Sequence, residues 1–291
     1  MAAIVLSART RPAGGPVADS LSVSPAPMPH ARRVTLLVHG YNNTAPEALA
    51  SYGEFLAHTG LEASLAAGQL CEFLWPGDED WGILRPLAYP FEIPVAREAA
   101  QRLYAFLAAL QPAGGWPLEV RLVCHSLGNR LLLELLAAHC AAGSPEALRF
   151  TVCCLMAAAV PVYMVEDGGE LRAAAAAPGR TLVLFSQADA VLRWAFPLGQ
   201  SAAGEGFFPT AVGRNGDPAA GLWSAREAMP GYGHGDYWPG AASAARVTEF
   251  LGGASARPLP ASALGGHALP EPAQAAARTI ADRSLPARSL C

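Results

Sequence analysis

The chain has 291 residues, about half of them apolar, and a formal net charge of −4. That is enough for one large domain or two small ones with a substantial core. No clustered basic face of the kind a nucleic-acid surface needs is present. All 20 basic residues are arginines; with the abundant Ala, Gly and Pro this reads as GC-rich coding, so alanine content is a weak helix signal here.

The first stretch, MAAIVLSARTRPAGG, has a short apolar run with no basic residue ahead of it, a poor signal peptide. Residues 10–31 are rich in Pro, Ser and Ala without periodicity, so residues 1–31 read as a flexible N-terminal segment. VTLLVH (34–39) reads as a strand. Thr44-Ala45-Pro46-Glu47 then has the form of a capping box with Pro in the first turn, opening a helix to about His58. LCEFLWP (70–76) is a second strand, stopped by Pro-Gly. REAAQRLYAFLAAL (97–110) sets Leu103, Phe106, Leu107 and Leu110 on one helical face. LEVRLVCH (118–125) is a third strand, followed by a helix to about Ala142. FTVCCLMAA (150–158) is a fourth, a helix lies near 166–177, TLVLFS (181–186) is a fifth strand, and a last helix covers 241–251. Residues 253–291 read as a Pro/Ala-rich flexible tail, leaving one folded domain over 32–252. The longest hydrophobic run, CCLMAAAVPVYMV, has 13 residues, short of the roughly 20 that span a bilayer; the expectation is no transmembrane segment and a cytoplasmic protein.

Strands and helices alternate, and the strands are continuously apolar rather than alternating. This predicts an α/β protein with a mostly parallel central sheet and helices on both faces. Sites in such sheets lie at the carboxyl ends of the strands. The first strand exits into His39-Gly40-Tyr41-Asn42-Asn43-Thr44, the third into His125-Ser126-Leu127-Gly128 and the fifth into Gln187-Ala188-Asp189. Gly233-His234-Gly235-Asp236 stands just before the last helix.

Hydroxyl, carboxylate and imidazole thus occur at separate exits in the order Ser, Asp, His, which resembles the α/β-hydrolase fold. The turn at Ser126 resembles its nucleophile elbow, G-x-S-x-G. Gly128 keeps the second glycine and Cys124 replaces the first, a small residue that leaves the turn possible. VHGYNNT, FLWPGDEDW and HSLGNRLL together resemble a bacterial α/β-hydrolase family known mainly as a domain of unknown function. The resemblance covers roughly 34–251, is vague over 197–232, and implies a serine hydrolase fold while saying little about substrate.

Acyl transfer assigns the roles. Ser126 is weak alone and needs a base within hydrogen-bond reach. His234 is the candidate base, and Asp189 the group that orients its ring and stabilises the imidazolium. The oxyanion needs preorganised donors: the backbone N–H groups of Leu127 and Tyr41. His39, Gly40, Asn42, His125 and Gly128 are expected to support the site. Competing readings stand beside these. Ser126 is also a favoured N-cap type; Glu166 and Asp167 rival Asp189; Asp236 reads as a local turn group. Asn42 and Asn43 are either turn residues or a network holding the oxyanion loop. Asn129 and Arg130 read as a solvated first turn. Asp78, Glu79 and Asp80 read as an ordinary acidic loop. Trp75, Trp81, Tyr89 and Phe91 are either packed loop aromatics or a wall over an acyl pocket.

The six cysteines, Cys71, Cys124, Cys140, Cys153, Cys154 and Cys291, contain no C-x-x-C pair and read as reduced, buried thiols. No Cys or His spacing fits a zinc site, and no strand is followed by G-x-G-x-x-G, so no metal or other cofactor is expected. The resulting expectation is a serine hydrolase cleaving small or medium carboxylic esters through an acyl-enzyme, with a small-molecule ester as its partner. An acyltransferase using the same triad and a catalytically silent binding module remain as alternatives.

Overall fold

Burial explains which apolar runs become strands. In a computed structural model, Val34–Val38 are buried at every position, and the last four residues of the 118–125 run are buried as well. Strands covered on both faces lose the period-two pattern of a half-exposed sheet. The structure describes residues 3–25, 31–64, 69–78, 89–110, 113–215 and 221–253, which lie within a unit ending at Ala256.

Among the described residues, eight strands form one sheet. They are β1 (Ile4–Arg9), β2 (Val17–Ser24), β3 (Arg33–Val38), β4 (Leu70–Leu74), β5 (Leu118–His125), β6 (Leu148–Met156), β7 (Arg180–Phe185) and β8 (Ala225–Ala228). Their order is β2-β1-β4-β3-β5-β6-β7-β8. β1 and β2 are antiparallel, and every other neighbouring pair is parallel. The helices are α1 (Ala45–Thr59), α2 (Leu61–Ser64), α3 (Tyr89–Ala109), α4 (Gly128–Ala141), α5 (Val162–Val165), α6 (Arg172–Ala176), α7 (Phe196–Ala202), α8 (Val212–Asn215) and α9 (Ala241–Leu251). From β3 the chain moves one way along the sheet to β4; from β4 to β5 and on to β6 it moves the other way. Right-handed crossovers then put α1 on one face and α3 and α4 on the other. The packing agrees, since α1 contacts α9 and α3 contacts α4. The reversal falls at β3 and β5, where a crevice opens beyond their carboxyl ends.

Local chemistry sets several boundaries. The Thr44 hydroxyl accepts from the Glu47 N–H while Glu47 Oε2 accepts from the Thr44 N–H at 2.8 Å, completing the capping box of α1. Gly60 closes that helix in the left-handed region at φ 63°. The helix expected from residue 97 starts instead at Tyr89 and runs through Pro94. The helix expected near 166–177 is two short pieces, α5 and α6, because Gly168 takes φ 85° between them.

The N-terminal expectation needs correction. The composition of residues 1–31 predicts a flexible segment, yet Ile4–Arg9 and Val17–Ser24 pair as a hairpin, and β1 also pairs with β4. β1 is buried at alternate positions, Ile4, Leu6 and Ala8, which is the signature of a strand with one covered face. The C-terminal tail expected from 253 lies, from residue 254, outside the described residues.

Candidate active site

Strand β5 delivers Ser126 into a sharp turn. Its backbone takes φ 54°, a left-handed conformation that a non-glycine residue adopts only when its surroundings enforce it. Five hydrogen bonds do so, four of them to Ser126 itself. The Ser126 N–H donates to the Met156 carbonyl at 3.0 Å, and the Ser126 carbonyl accepts from the N–H groups of Asn129 at 3.1 Å and Ala159 at 3.2 Å. Asn129 Nδ2 adds a bond to the same carbonyl and one to Met156 O, each 3.0 Å. Asn129 and Arg130 are therefore not a solvated first turn: they are 0% and 1% exposed. The turn also demands missing side chains. A Cβ on Gly40 would lie 2.6 Å from Ser126 Cβ, and one on Gly128 would run into the His39 carbonyl oxygen. Cys124 needs no such freedom, because it is still in the regular ladder, opposite Val38 and Leu155.

Three residues far apart in sequence meet above this turn. His234 Nε2 lies 2.7 Å from Ser126 Oγ, and His234 Nδ1 lies 2.8 Å from Asp189 Oδ2. Asp189 is fully buried, and its Oδ1 accepts from the Leu192 N–H at 2.9 Å. A carboxylate accepts only, so Nδ1 carries the proton, and Nε2 is left as acceptor for the serine hydroxyl. The rivals Glu166 and Asp167 are exposed, and Asp167 pairs with Arg172 at 3.2 Å. Asp236 is a turn group, its Oδ2 accepting from the Gly233 N–H at 2.6 Å.

Two further histidines hold the loops. The His125 Nε2–H donates to the His234 carbonyl at 2.8 Å, joining the serine turn to the histidine loop. His39 Nε2 accepts from the Trp75 N–H at 3.2 Å, so its Nδ1–H donates to the Gly40 carbonyl at 2.8 Å. Burial pushes His39 and His125 down to about 3, which keeps both rings neutral. Trp75 is a packing residue rather than a pocket wall: it stacks on His39 at 5.5 Å, and its Nε1–H donates to the His39 carbonyl at 2.9 Å. Phe91 is exposed, Trp81, Glu79 and Asp80 lie outside the described residues, and so does the Tyr89 side chain.

Loop 40–44 borders the crevice. Asn42 takes φ 63° and its N–H donates to Gly77 O at 2.6 Å, while Asn43 Nδ2 donates to Tyr41 O at 2.9 Å. Both asparagines thus belong to a network that fixes the loop. A cavity of about 350 Å³ opens between Tyr41, Asn42, Ser126 and His234 on one side and the apolar side chains of Ala159, Val191, Leu192, Ala195 and Phe196. Val191–Ala195 form a π-helical turn running from Asp189 into α7. Sequence patterns pointed to none of this wall, since Val191–Phe196 lies beyond the last strand recognised. Tyr237 was also unmarked; it is buried, and its ring packs 5.9 Å from that of His125. No group of His, Cys, Asp and Glu able to hold a metal occurs among the described residues.

No curated protein matches the chain. Similar solved structures include an esterase/lipase from an uncultured bacterium, 15% identical, covering 78% of each chain with a TM-score of 0.42. Carboxyl esterase 2 from the mycorrhizal fungus Tuber melanosporum is 14% identical over 78% of each chain, TM-score 0.40. The lin2722 product of Listeria innocua is 12% identical over 76% of this chain and 94% of its own, TM-score 0.41. These likenesses are too distant to bear on activity. The family described as alpha/beta hydrolase of unknown function (DUF900) matches residues 26–200, more than half of the sequence, and the chain belongs to that family.

Proposed function

We propose that this chain is a serine hydrolase that cleaves carboxylic esters through an acyl-enzyme, with Ser126 as nucleophile, His234 as base and Asp189 as its orienting carboxylate. The observation that carries the reading is the continuous hydrogen-bonded chain from Ser126 Oγ through His234 to buried Asp189, at 2.7 and 2.8 Å, opening on an apolar cavity. His234 Nε2 takes the hydroxyl proton as Oγ bonds to the ester carbon. The tetrahedral oxyanion is met by the N–H groups of Leu127 and Tyr41 and by the positive end of α4. Collapse expels the alcohol, which leaves with the proton from His234. Water, activated by the same imidazole, then releases the acid. The cavity wall beside Ser126 is apolar, which suits an uncharged acyl chain. Among the described residues no helix is long and apolar enough to cross a membrane. Among the described residues the five cysteines are unpaired thiols, in keeping with the reducing cytoplasm where we place the chain.

The test is labelling with a fluorophosphonate, wild type against Ser126→Ala, followed by a p-nitrophenyl ester series. Labelling that disappears in the variant, with ester turnover in the wild type, supports the hydrolase. Turnover that rises on adding an alcohol, with a new ester as product, favours the acyltransferase. Folded wild-type protein that neither labels nor turns over ester refutes both and leaves the binding module.

A further inference from the structure

The hairpin β1–β2 lies outside the region matched by the family, which begins at residue 26. It nevertheless reaches the site. The side chains of Arg9, the last residue of β1, and Asp78, in the loop after β4, are 3% and 2% exposed and form an ion pair, Nη1 to Oδ1. The other arm of the same guanidinium, Nη2, donates to the carbonyl of Asn43. Asp78 Oδ2 accepts from the Gly14 N–H at 3.0 Å, in the hairpin turn. Two backbone bonds run alongside: the Ala45 N–H to Pro12 O at 2.9 Å, and the Asn42 N–H to Gly77 O at 2.6 Å. Loop 40–44 is therefore gripped from the hairpin and from the β4 exit, and Arg9 touches both.

We propose that Arg9 and Asp78 are positioning residues for the reaction: the buried pair sets the backbone of loop 40–44 so that the Tyr41 N–H faces the oxyanion. The inference rests on the hydrolase reading above. A planar fork suits the task, because one arm neutralises the carboxylate while the other fixes a carbonyl at a set angle. The desolvation of two charges makes such a pair a poor way merely to fasten a hairpin, for which apolar contacts serve as well. The gripped residue, Asn43, is next to Asn42, which takes a left-handed backbone and lines the cavity together with Ser126. The cation also bears on the buried ring of His39, helping to hold it neutral beside the same loop.

The experiment uses the full chain with Arg9→Lys, Asp78→Glu and Asp78→Asn. Lysine keeps the charge and is the variant most apt to fold, but a point charge cannot serve Asp78 and Asn43 at once. Three readouts are taken: kcat and KM on a p-nitrophenyl ester, inhibition by a trifluoromethyl ketone that forms the tetrahedral adduct, and amide hydrogen exchange over residues 41–44. For Arg9→Lys, kcat falls by roughly 10²- to 10³-fold, the scale of one lost oxyanion donor. KM stays within about threefold, ketone inhibition weakens by a factor comparable to kcat, and exchange at 41–44 rises more than in β5 or β6. A lower melting temperature with kcat and ketone inhibition within about threefold of wild type makes the pair a fastener only and overturns the proposal. Wild-type protein that turns over no ester refutes the hydrolase reading instead. In that event exchange alone decides the grip: unchanged protection at 41–44 in Arg9→Lys overturns it as well.

Discussion

Asp189→Asn sets two costs against each other. Asp189 Oδ1 accepts from the Leu192 N–H at 2.9 Å and Oδ2 from the His234 Nδ1–H at 2.8 Å. An asparagine has one acceptor oxygen and one donor group for these two donors. If the oxygen meets Leu192, the amide NH₂ faces His234 Nδ1. The ring proton must then move to Nε2, opposite Ser126 Oγ, and the base is gone. A wrong tautomer of that kind costs about 10⁴ in kcat, or about 5 kcal/mol. If the oxygen meets His234, the tautomer survives, but the NH₂ and the Leu192 N–H oppose each other as two unmet buried donors. At about 1–3 kcal/mol for each, that arrangement costs about 2–6 kcal/mol. The variant takes the cheaper route, so kcat falls by between about 30-fold and about 10⁴-fold. Steady-state turnover of a p-nitrophenyl ester, with a melting curve to show that the fold persists, measures it. A folded variant within about threefold of wild type refutes the reasoning, because neither orientation leaves the network whole.

Gly128→Ala drives a Cβ into the His39 carbonyl; overpacking of about 1–3 kcal/mol lowers the melting temperature by roughly 2–10 °C in scanning fluorimetry, and an unchanged melt means the turn has room that its geometry denies. Ala195→Phe fills the cavity wall. Each seated methylene raises kcat/KM roughly fourfold, so the variant's ester series peaks at a shorter acyl chain, and an identical optimum removes the 191–196 segment from the pocket. Acid stability follows from two buried histidines and one partly buried carboxyl: below about 6.5 the unfolded chain protonates His39 and His125, which the folded chain holds neutral down to about 3, whereas Glu72, raised by partial burial to about 7, keeps a proton that the unfolded chain releases above about 4.5. Between those limits the histidines make stability fall with falling pH. Glu72, part-exposed and screened, offsets less than one of them, leaving a loss of between about 1 and about 3 kcal/mol per pH unit. Urea midpoints at pH 6.5 and 5 are therefore further apart in Glu72→Gln and closer in His125→Gln, and equal spacing in all three proteins contradicts the assignment.

The parts of the molecule legible in its sequence are those whose chemistry is local. β3, β7 and the carboxyl-terminal parts of β5 and β6 announce themselves because burial on both faces requires apolar runs, and α1 because Thr44 and Glu47 cap each other. Ser126 stands out because a strand, a hydroxyl, a glycine and a Leu-rich helix follow without a gap. What stayed hidden depends on partners distant in the chain. IVLSAR is a strand because β4 lies beside it, and a Ser- and Pro-rich neighbourhood masks the alternation. AREA at 225–228 has no apolar pattern and is held by its ladder to β7. Asn129 and Arg130 resemble a solvated first turn in sequence, but α4 begins under the serine turn. There Asn129 closes the elbow and Arg130 bonds Glu134 and Glu205 at 2.9 and 2.8 Å. Asp78 looks like a loop carboxylate until Arg9 is brought against it.

The three histidines at the site divide the work in a way that burial explains. A ring proposed to move a proton has to be reachable from the cavity, and the side chain of His234 is 18% exposed. A ring that only holds a loop must keep one tautomer, because its donor and acceptor sides face different partners. His39 donates to Gly40 and accepts from Trp75, and His125 donates to the backbone of His234. Protonating His39 would set two donors against each other at Trp75; charging His125 would place a second cation beside the His234 imidazolium of the proposed reaction. Deep burial prevents both by penalising the charged form of each ring. The strained serine turn, costing on the order of 1–3 kcal/mol, is held in the same manner, by bonds from Met156, Asn129 and Ala159 that leave its backbone no alternative. The serine turn and the contacts of His39 and His125 are thus held by neutral groups. A change that lets water reach His39 or His125 will loosen Ser126 and His234 without touching either.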